Sequence, residues 1–260
     1  MLSRRALFAR LLGHPEARAF LLNSLAVGEA DSARDLDRVA ALVPDPTLAR
    51  RIYRHYAEEL RHARVLRRHL EAEGFVCTPL PPELDYERLA QRFAMGTPRA
   101  RLDDARPFDD EDLTVFFAGS KAGEERACLE LAGLIRDLAA DRPTAAVLRA
   151  IHADERRHVA YATAALCELA SRSGRGPVVR ALRAARRAEA RAHRMVSRAF
   201  MARLLALLGA PRLVRAAAGV SIDLACALRW LFPGGLDAPQ LADPMPVPPR
   251  ARPRAARAAP

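Results

Sequence analysis

Two short runs, Glu59-Leu60-Arg61-His62 and Glu155-Arg156-Arg157-His158, each set a glutamate three residues before a histidine. On a helix, residues three apart share a face about 5–6 Å from one another at Cβ. A carboxylate and an imidazole so placed point the same way and can share a metal ion. One such pair means little, because most pairs of this kind lie on helix surfaces. Here each pair is preceded, 30 and 31 residues upstream, by a glutamate on an apolar stripe, Glu29 and Glu124. The halves repeat at near-constant offset: 95 residues from Glu29 to Glu124, 96 from Glu59 to Glu155, and 96 from His62 to His158.

The elements that must carry these residues read as helices, in the order 15–43, 46–73, a run beginning after Asp109/Asp110, and a run beginning after Asp141-Arg142-Pro143. Their stripes recur at helical spacing: Leu21, Leu25, Glu29, Ala33, Leu36; Ile52, His55, Glu59, His62, Leu66; Phe117, Ser120, Glu124, Cys128, Leu131; Ile151, Glu155, His158, Ala162. Asp45-Pro46 and Asp141-Arg142-Pro143 pair a capping acid with a proline suited to a first helical turn. Glu125 rivals Glu124. The stripe and the echo between Gly28-Glu29 and Gly123-Glu124 favour Glu124, whereas Glu125 shares a face with Lys121 and Leu129.

Tight connections make antiparallel neighbours of each successive pair. Residues 74–108, rich in proline around a short helix near 83–93, are long enough to cross the length of a bundle. The predicted fold class is all-α: a ferritin-like four-helix bundle over 15–172 with a long crossover between its second and third helices. Additional C-terminal helices follow over 177–232, after a flexible hinge at 171–177, and a Pro/Ala/Arg-rich tail predicted to be disordered spans 233–260. Residues 1–13 read as a short basic amphipathic helix.

A glutamate at core spacing costs several kcal/mol in lost hydration unless something positive satisfies it. Converging carboxylates repel and take up protons unless cations separate them. Glu29, Glu59, Glu124 and Glu155, completed by His62 and His158, form a donor set of carboxylates and imidazoles that suits iron or manganese rather than thiolate-seeking metals. One Glu from each of two helices and a Glu-x-x-His from each of the other two is the di-iron carboxylate pattern. The competing expectation is a set of core salt bridges with Arg61 and Arg157. His55, four residues before Glu59, is expected to be held by a backbone carbonyl, the alternatives being an outer partner to the ligands or an additional ligand. Glu58 and Asp154 are expected as outer acceptors or surface charges. Tyr56 and Tyr161, each three residues from Glu59 or His158, are expected to pack.

The chain has 260 residues, half of them apolar and 5% aromatic, with a net charge of +11. Lys121 is the lone lysine, so arginine carries the basic balance. Those arginines are spread over every helix without interleaved aromatics, which points to solvated faces before a nucleic-acid partner. Cys77, Cys128, Cys167 and Cys226 form no CxxC, which argues against a zinc knuckle, a rubredoxin-type site or a disulfide framework. The twin-arginine look of Arg4-Arg5 lacks the apolar run of a signal, and no 18-residue stretch is free of charge, so the expectation is a cytoplasmic chain with no membrane span.

Glu58-Glu59-Leu60-Arg61-His62 and Asp154-Glu155-Arg156-Arg157-His158 resemble the paired E-E-x-R-H and D-E-x-R-H motifs of the soluble acyl-carrier-protein desaturases. The segments at Gly28-Glu29 and Gly123-Glu124 look more like rubrerythrin, and Glu124 to Cys128 is similar to the ferritin-like tRNA hydroxylases. The resemblance covers about residues 15–172 and holds at the level of the ferritin-like di-iron carboxylate superfamily. It implies two iron ions at Glu29, Glu59, His62, Glu124, Glu155 and His158, a manganese–iron pair being compatible with the same donors. It implies O₂ or peroxide chemistry, but the segments after 172 match none of these families, so it carries over no substrate. The first expectation is an oxidoreductase acting on a small-molecule, organic or lipid-like substrate in an apolar pocket, fed by an external reductase because the chain shows no flavin or iron–sulfur motif. Ferroxidase or peroxide-reducing work, tRNA hydroxylation and a non-enzymatic, metal-stabilised helical interaction module are the alternatives. A homodimer is left open.

Overall fold

The computed structural model describes residues 4–231, with side chains described from residue 7 to residue 227. The expected disordered tail at 233–260 lies outside the described residues. Among the described residues there are helices and no strands: α1 (Arg4–Leu12), α2 (Pro15–Leu42), α3 (Pro46–Ala72), α4 (Tyr86–Arg92), α5 (Arg99–Leu102), α6 (Asp110–Asp137), α7 (Arg142–Ser173), α8 (Arg175–Leu207) and α9 (Arg212–Leu231).

The helix starts are built as the residue types dictate. The Asp45 carboxylate accepts from Thr47 N ahead of Pro46, and Asp141 accepts from Thr144 N. Asp109 and Asp112 form a reciprocal capping box at the start of α6. Each cap satisfies backbone N–H groups that have no partner inside the helix.

Two apolar layers sandwich the acidic residues. One holds Leu36, Val39, Ile52, Phe117, Ala122, Ala162 and Leu166; the other holds Leu22, Ala26, Leu66, Leu70, Leu131, Leu148 and Ile151. Along α2 and α7 the chain passes from the second layer through its glutamate to the first. Along α3 and α6 it passes the other way. α2 and α3 are therefore an antiparallel hairpin, as are α6 and α7, and the packing of α2 on α3 and of α6 on α7 agrees. It follows that α3 and α6 run parallel, so residues 73–109 must return along the length of the pair before α6 can begin. Asn23 pins the start of that return by exchanging hydrogen bonds with both backbone groups of Thr78, at 2.9 and 2.8 Å. At its other end Arg101 grips Asp112 and stacks 4.6 Å from the Phe108 ring.

α8 lies against α6, α7 and α4, and α9 packs on α8. The flexible hinge expected at 171–177 is a single-residue break at Gly174, whose φ of 87° ends α7 and admits α8 at once. Arg172 and Ser173 hold Asp110 at 3.0 and 2.8 Å, and Val178 is fully buried, so both sides of the break are fastened. No described helix is long and apolar enough to cross a membrane.

Candidate metal centre

Between the two apolar layers, α2, α3, α6 and α7 bring Glu29, Glu59, His62, Glu124, Glu155 and His158 into one buried cluster. The ligand atoms of Glu29, Glu59, His62 and Glu155 lie within 4.8 Å of one another, as do those of His55, Glu59, Glu124 and His158. Glu59 belongs to both groups. Each could hold a metal ion.

The two imidazoles frame the cluster. His62 Nδ1 stands 3.2 Å from Glu29, 3.2 Å from Glu155 and 4.0 Å from Glu59. His158 Nδ1 stands 3.1 Å from Glu155 and 3.2 Å from Glu59. Glu59 and Glu155 thus lie between the two rings, with Glu29 on the His62 side and Glu124 on the His158 side. Each ring's other nitrogen faces outward to an acid on the opposite helix: His62 Nε2–H donates to Asp154, and His158 Nε2–H donates to Glu58. Such bonds fix ring orientation and leave Nδ1 aimed at the carboxylates. Arg61 and Arg157 both clasp Asp154, and Arg157 also reaches Glu58. The arginines therefore pair with these outer acids and not with the four glutamates.

His55 is not held by a backbone carbonyl. Its Nε2 lies 3.1 Å from both Glu59 and Glu124, its Nδ1 lies 3.1 Å from the Tyr161 hydroxyl, and its ring centroid is 3.7 Å from that of His158. The spacing of four residues from Glu59 on the same stripe was the available signal. Glu125 turns away to Lys121 and to Arg186 of α8, which leaves Glu124 as the α6 carboxylate in the cluster. Tyr56 packs against the apolar layer as expected, and the four cysteines are free and partly exposed. Comparison with known protein families, curated proteins and solved structures finds no match. The reading of this cluster therefore rests on its own geometry.

Proton balance shows how the cluster tolerates its charges. Burial and the facing charge of Glu59 raise the Glu29 carboxyl well above its ordinary value; burial and Glu155 do the same to Glu124. Burial works against the imidazolium of His62, but Glu155 and Glu29 outweigh it and carry the ring up to about 11. Glu155 and Glu59 carry His158 up to about 10 against the same opposition. Burial and the neighbouring His158 push His55 down to about 3, so this ring is neutral. Two imidazolium ions and protonated carboxyls thus occupy the charge balance that metal cations would otherwise supply.

One atom stays unsatisfied. Glu155 Oε1 is buried without a hydrogen-bond donor. His62 has a single Nδ1–H, which it gives to Glu29 Oε2, and Glu155 Oε1 lies close to it but out of line. A buried carboxylate oxygen aimed into a cluster of hard donors fits a divalent cation.

Proposed function

We propose that the chain is a ferritin-like di-iron carboxylate protein that uses O₂ to oxidise a small organic substrate. The observation that supports this most is the position of Glu59 and Glu155 between two outward-anchored histidines, with one further carboxylate on each side. These residues would offer donors for two adjacent metal positions rather than one.

Glu29, Glu59, His62 and Glu155 would hold one ion; Glu59, Glu124, His158 and His55 would hold the other. When bound, two iron ions supply the electrons and Lewis acidity that bind and reduce O₂. Glu58 and Asp154 keep the imidazoles oriented through Nε2 and raise their basicity toward a metal. The apolar layers above and below exclude water, which strengthens every charge interaction between them. Tyr161 and His55 share one hydrogen bond: with Nε2–H directed at Glu59, Nδ1 accepts from the phenol, and with Nε2 free to bind a cation, Nδ1–H donates to it instead. Electrons would enter from a separate reductase.

The test is anaerobic titration with Fe(II) followed by a measured pulse of O₂. The expected result is about two iron ions per chain and stoichiometric O₂ uptake without mineral growth. Ferric mineral that keeps growing with added iron would assign the protein to iron handling, and a single bound ion would remove the di-metal reading.

A further inference from the structure

A second feature lies directly beside the cluster. A cavity of about 100 Å³ opens between α2, α6 and the crossover, and its lining includes His55 and Glu124. Part of the wall is apolar, through Leu36 and Phe116, as a small organic ligand requires. The rest is unusually polar. Thr97 is 5% exposed, and its hydroxyl finds no hydrogen-bond partner. The Ser120 hydroxyl, also in this wall, is buried and unpartnered, and Asp35 Oδ1 is buried and accepts no hydrogen bond.

Leaving a buried polar group without a hydrogen bond destabilises a fold, so three around one cavity mark a place where a ligand supplies the missing partners. Its chemistry follows from the charges. Asp35 and Glu87 face the same space, and burial together with Asp35 pushes Glu87 up to about 7. Two carboxyls packed side by side repel one another, and a cation between them relieves that repulsion. Arg99, half exposed, pairs with Asp35 Oδ1 at 3.8 Å, a contact longer than a hydrogen bond. Gln91 donates to Glu87 at 3.5 Å and to Thr97 O at 3.1 Å, so it braces this wall instead of neutralising it.

We propose that the cavity binds a small primary amine, its ammonium group held by Asp35 and Glu87 with Thr97 and Ser120 completing the hydrogen bonds, and its carbon chain lying against Leu36 and Phe116 beside His55 and Glu124. As a binding site this stands on the cavity alone. As the site of the substrate it rests on the di-metal reading.

The experiment is calorimetric titration of the full chain, metal-free and loaded with redox-inert Zn(II), using n-propylamine, 1-propanol and propionate as probes. The amine should bind at least tenfold tighter than either analogue. Asp35→Asn and Glu87→Gln should each weaken it roughly tenfold, a charge-assisted bond being lost, and Thr97→Val should weaken it a few-fold. A thermal melt of each variant checks the fold, and Glu87→Gln with Thr97→Val decide the matter if Asp35→Asn does not fold. Absent amine binding, equal or tighter propionate binding, or amine binding indifferent to these substitutions would overturn the proposal. So would a third Zn(II) per chain that competes with the amine, since the acids would then serve cation transit. Amine binding by a chain that takes up no metal would leave the site standing and sink the di-metal reading; two bound iron ions with O₂ uptake but no amine binding would do the reverse.

Discussion

His62 of α3 donates from Nε2 to Asp154 of α7 at 3.0 Å, and its counterpart bond crosses the other way, His158 of α7 to Glu58 of α3 at 2.9 Å. Each Glu-x-x-His run is thus oriented by the acid that immediately precedes the clustered glutamate of the other run. The two halves of the cluster cannot be positioned independently.

Replacing Glu58 by Gln or Asp154 by Asn should therefore weaken metal binding on the opposite helix by roughly tenfold to a hundredfold while leaving the fold intact. Competition against a chelator of known affinity measures this, with circular dichroism to confirm helicity. Unchanged affinity in both variants would mean that the outer acids serve only the surface arginines.

Metal uptake should release protons. In the metal-free chain Glu29 and Glu124 hold raised carboxyls, and His62 and His158 titrate at about 11 and about 10. For each histidine the folded value lies above the ordinary 6.5. The stability they contribute is then complete below that value and is lost as pH climbs through about 10 and about 11. The raised carboxyls act in the same direction. A metal ion replaces those protons, so its binding tightens as pH rises. From neutral toward alkaline pH the metal-free melting temperature should fall, and the gap to the loaded protein should widen. Zn(II) added in weak buffer should release about two protons per chain from the imidazolium ions, with the raised carboxyls adding to that number. A metal-free melting temperature that climbs over this range would contradict the assignment.

Much of this arrangement was legible because local rules and tertiary packing agree. Asp45-Pro46 and Asp141-Arg142-Pro143 mark helix starts by residue chemistry alone, and the glutamates stand out as acids on otherwise apolar stripes. What could not be read depends on distances between helices. His55 sits on the right stripe, but its role requires Glu124 and Tyr161 to arrive from α6 and α7. Residues 171–177 have the composition of a flexible linker, yet Asp110 fastens one side and the burial of Val178 the other. The cavity was equally hidden, because its wall comes from a crossover whose path no periodicity specifies.

His55 also breaks the internal repeat. The 96-residue offset that maps Glu59 onto Glu155 maps His55 onto Ile151, which packs in an apolar layer. The two candidate metal positions are therefore unlike, with an additional imidazole on the His158 side. His55→Ile should weaken one of two Zn(II) binding steps roughly tenfold to a hundredfold and leave the other near its original affinity. Stepwise titration resolves the two. Equal loss from both steps, or from neither, would show that this imidazole is not a ligand.

The last prediction concerns how the crossover is seated. A Cβ on Gly119 would stand 2.5 Å from Gly96 Cα and 2.8 Å from Gly96 N, backbone atoms that no side-chain movement can relieve. Gly96 itself holds a φ of 69°, a conformation that side chains disfavour. The pair thus lets the turn carrying Met95 and Thr97 lie directly on α6, five residues before Glu124. Gly119→Ala should push that turn outward and cost about 1–3 kcal/mol of stability, as overpacking does. Gly123→Ala, whose added carbon would meet only the flexible end of Met95 at 3.5 Å, should cost less. Urea unfolding of the two variants makes the comparison. Because the helix propensity change favours alanine equally at both positions, a larger loss at Gly119 isolates the backbone contact, and equal losses would mean that the crossover is not seated through this pair.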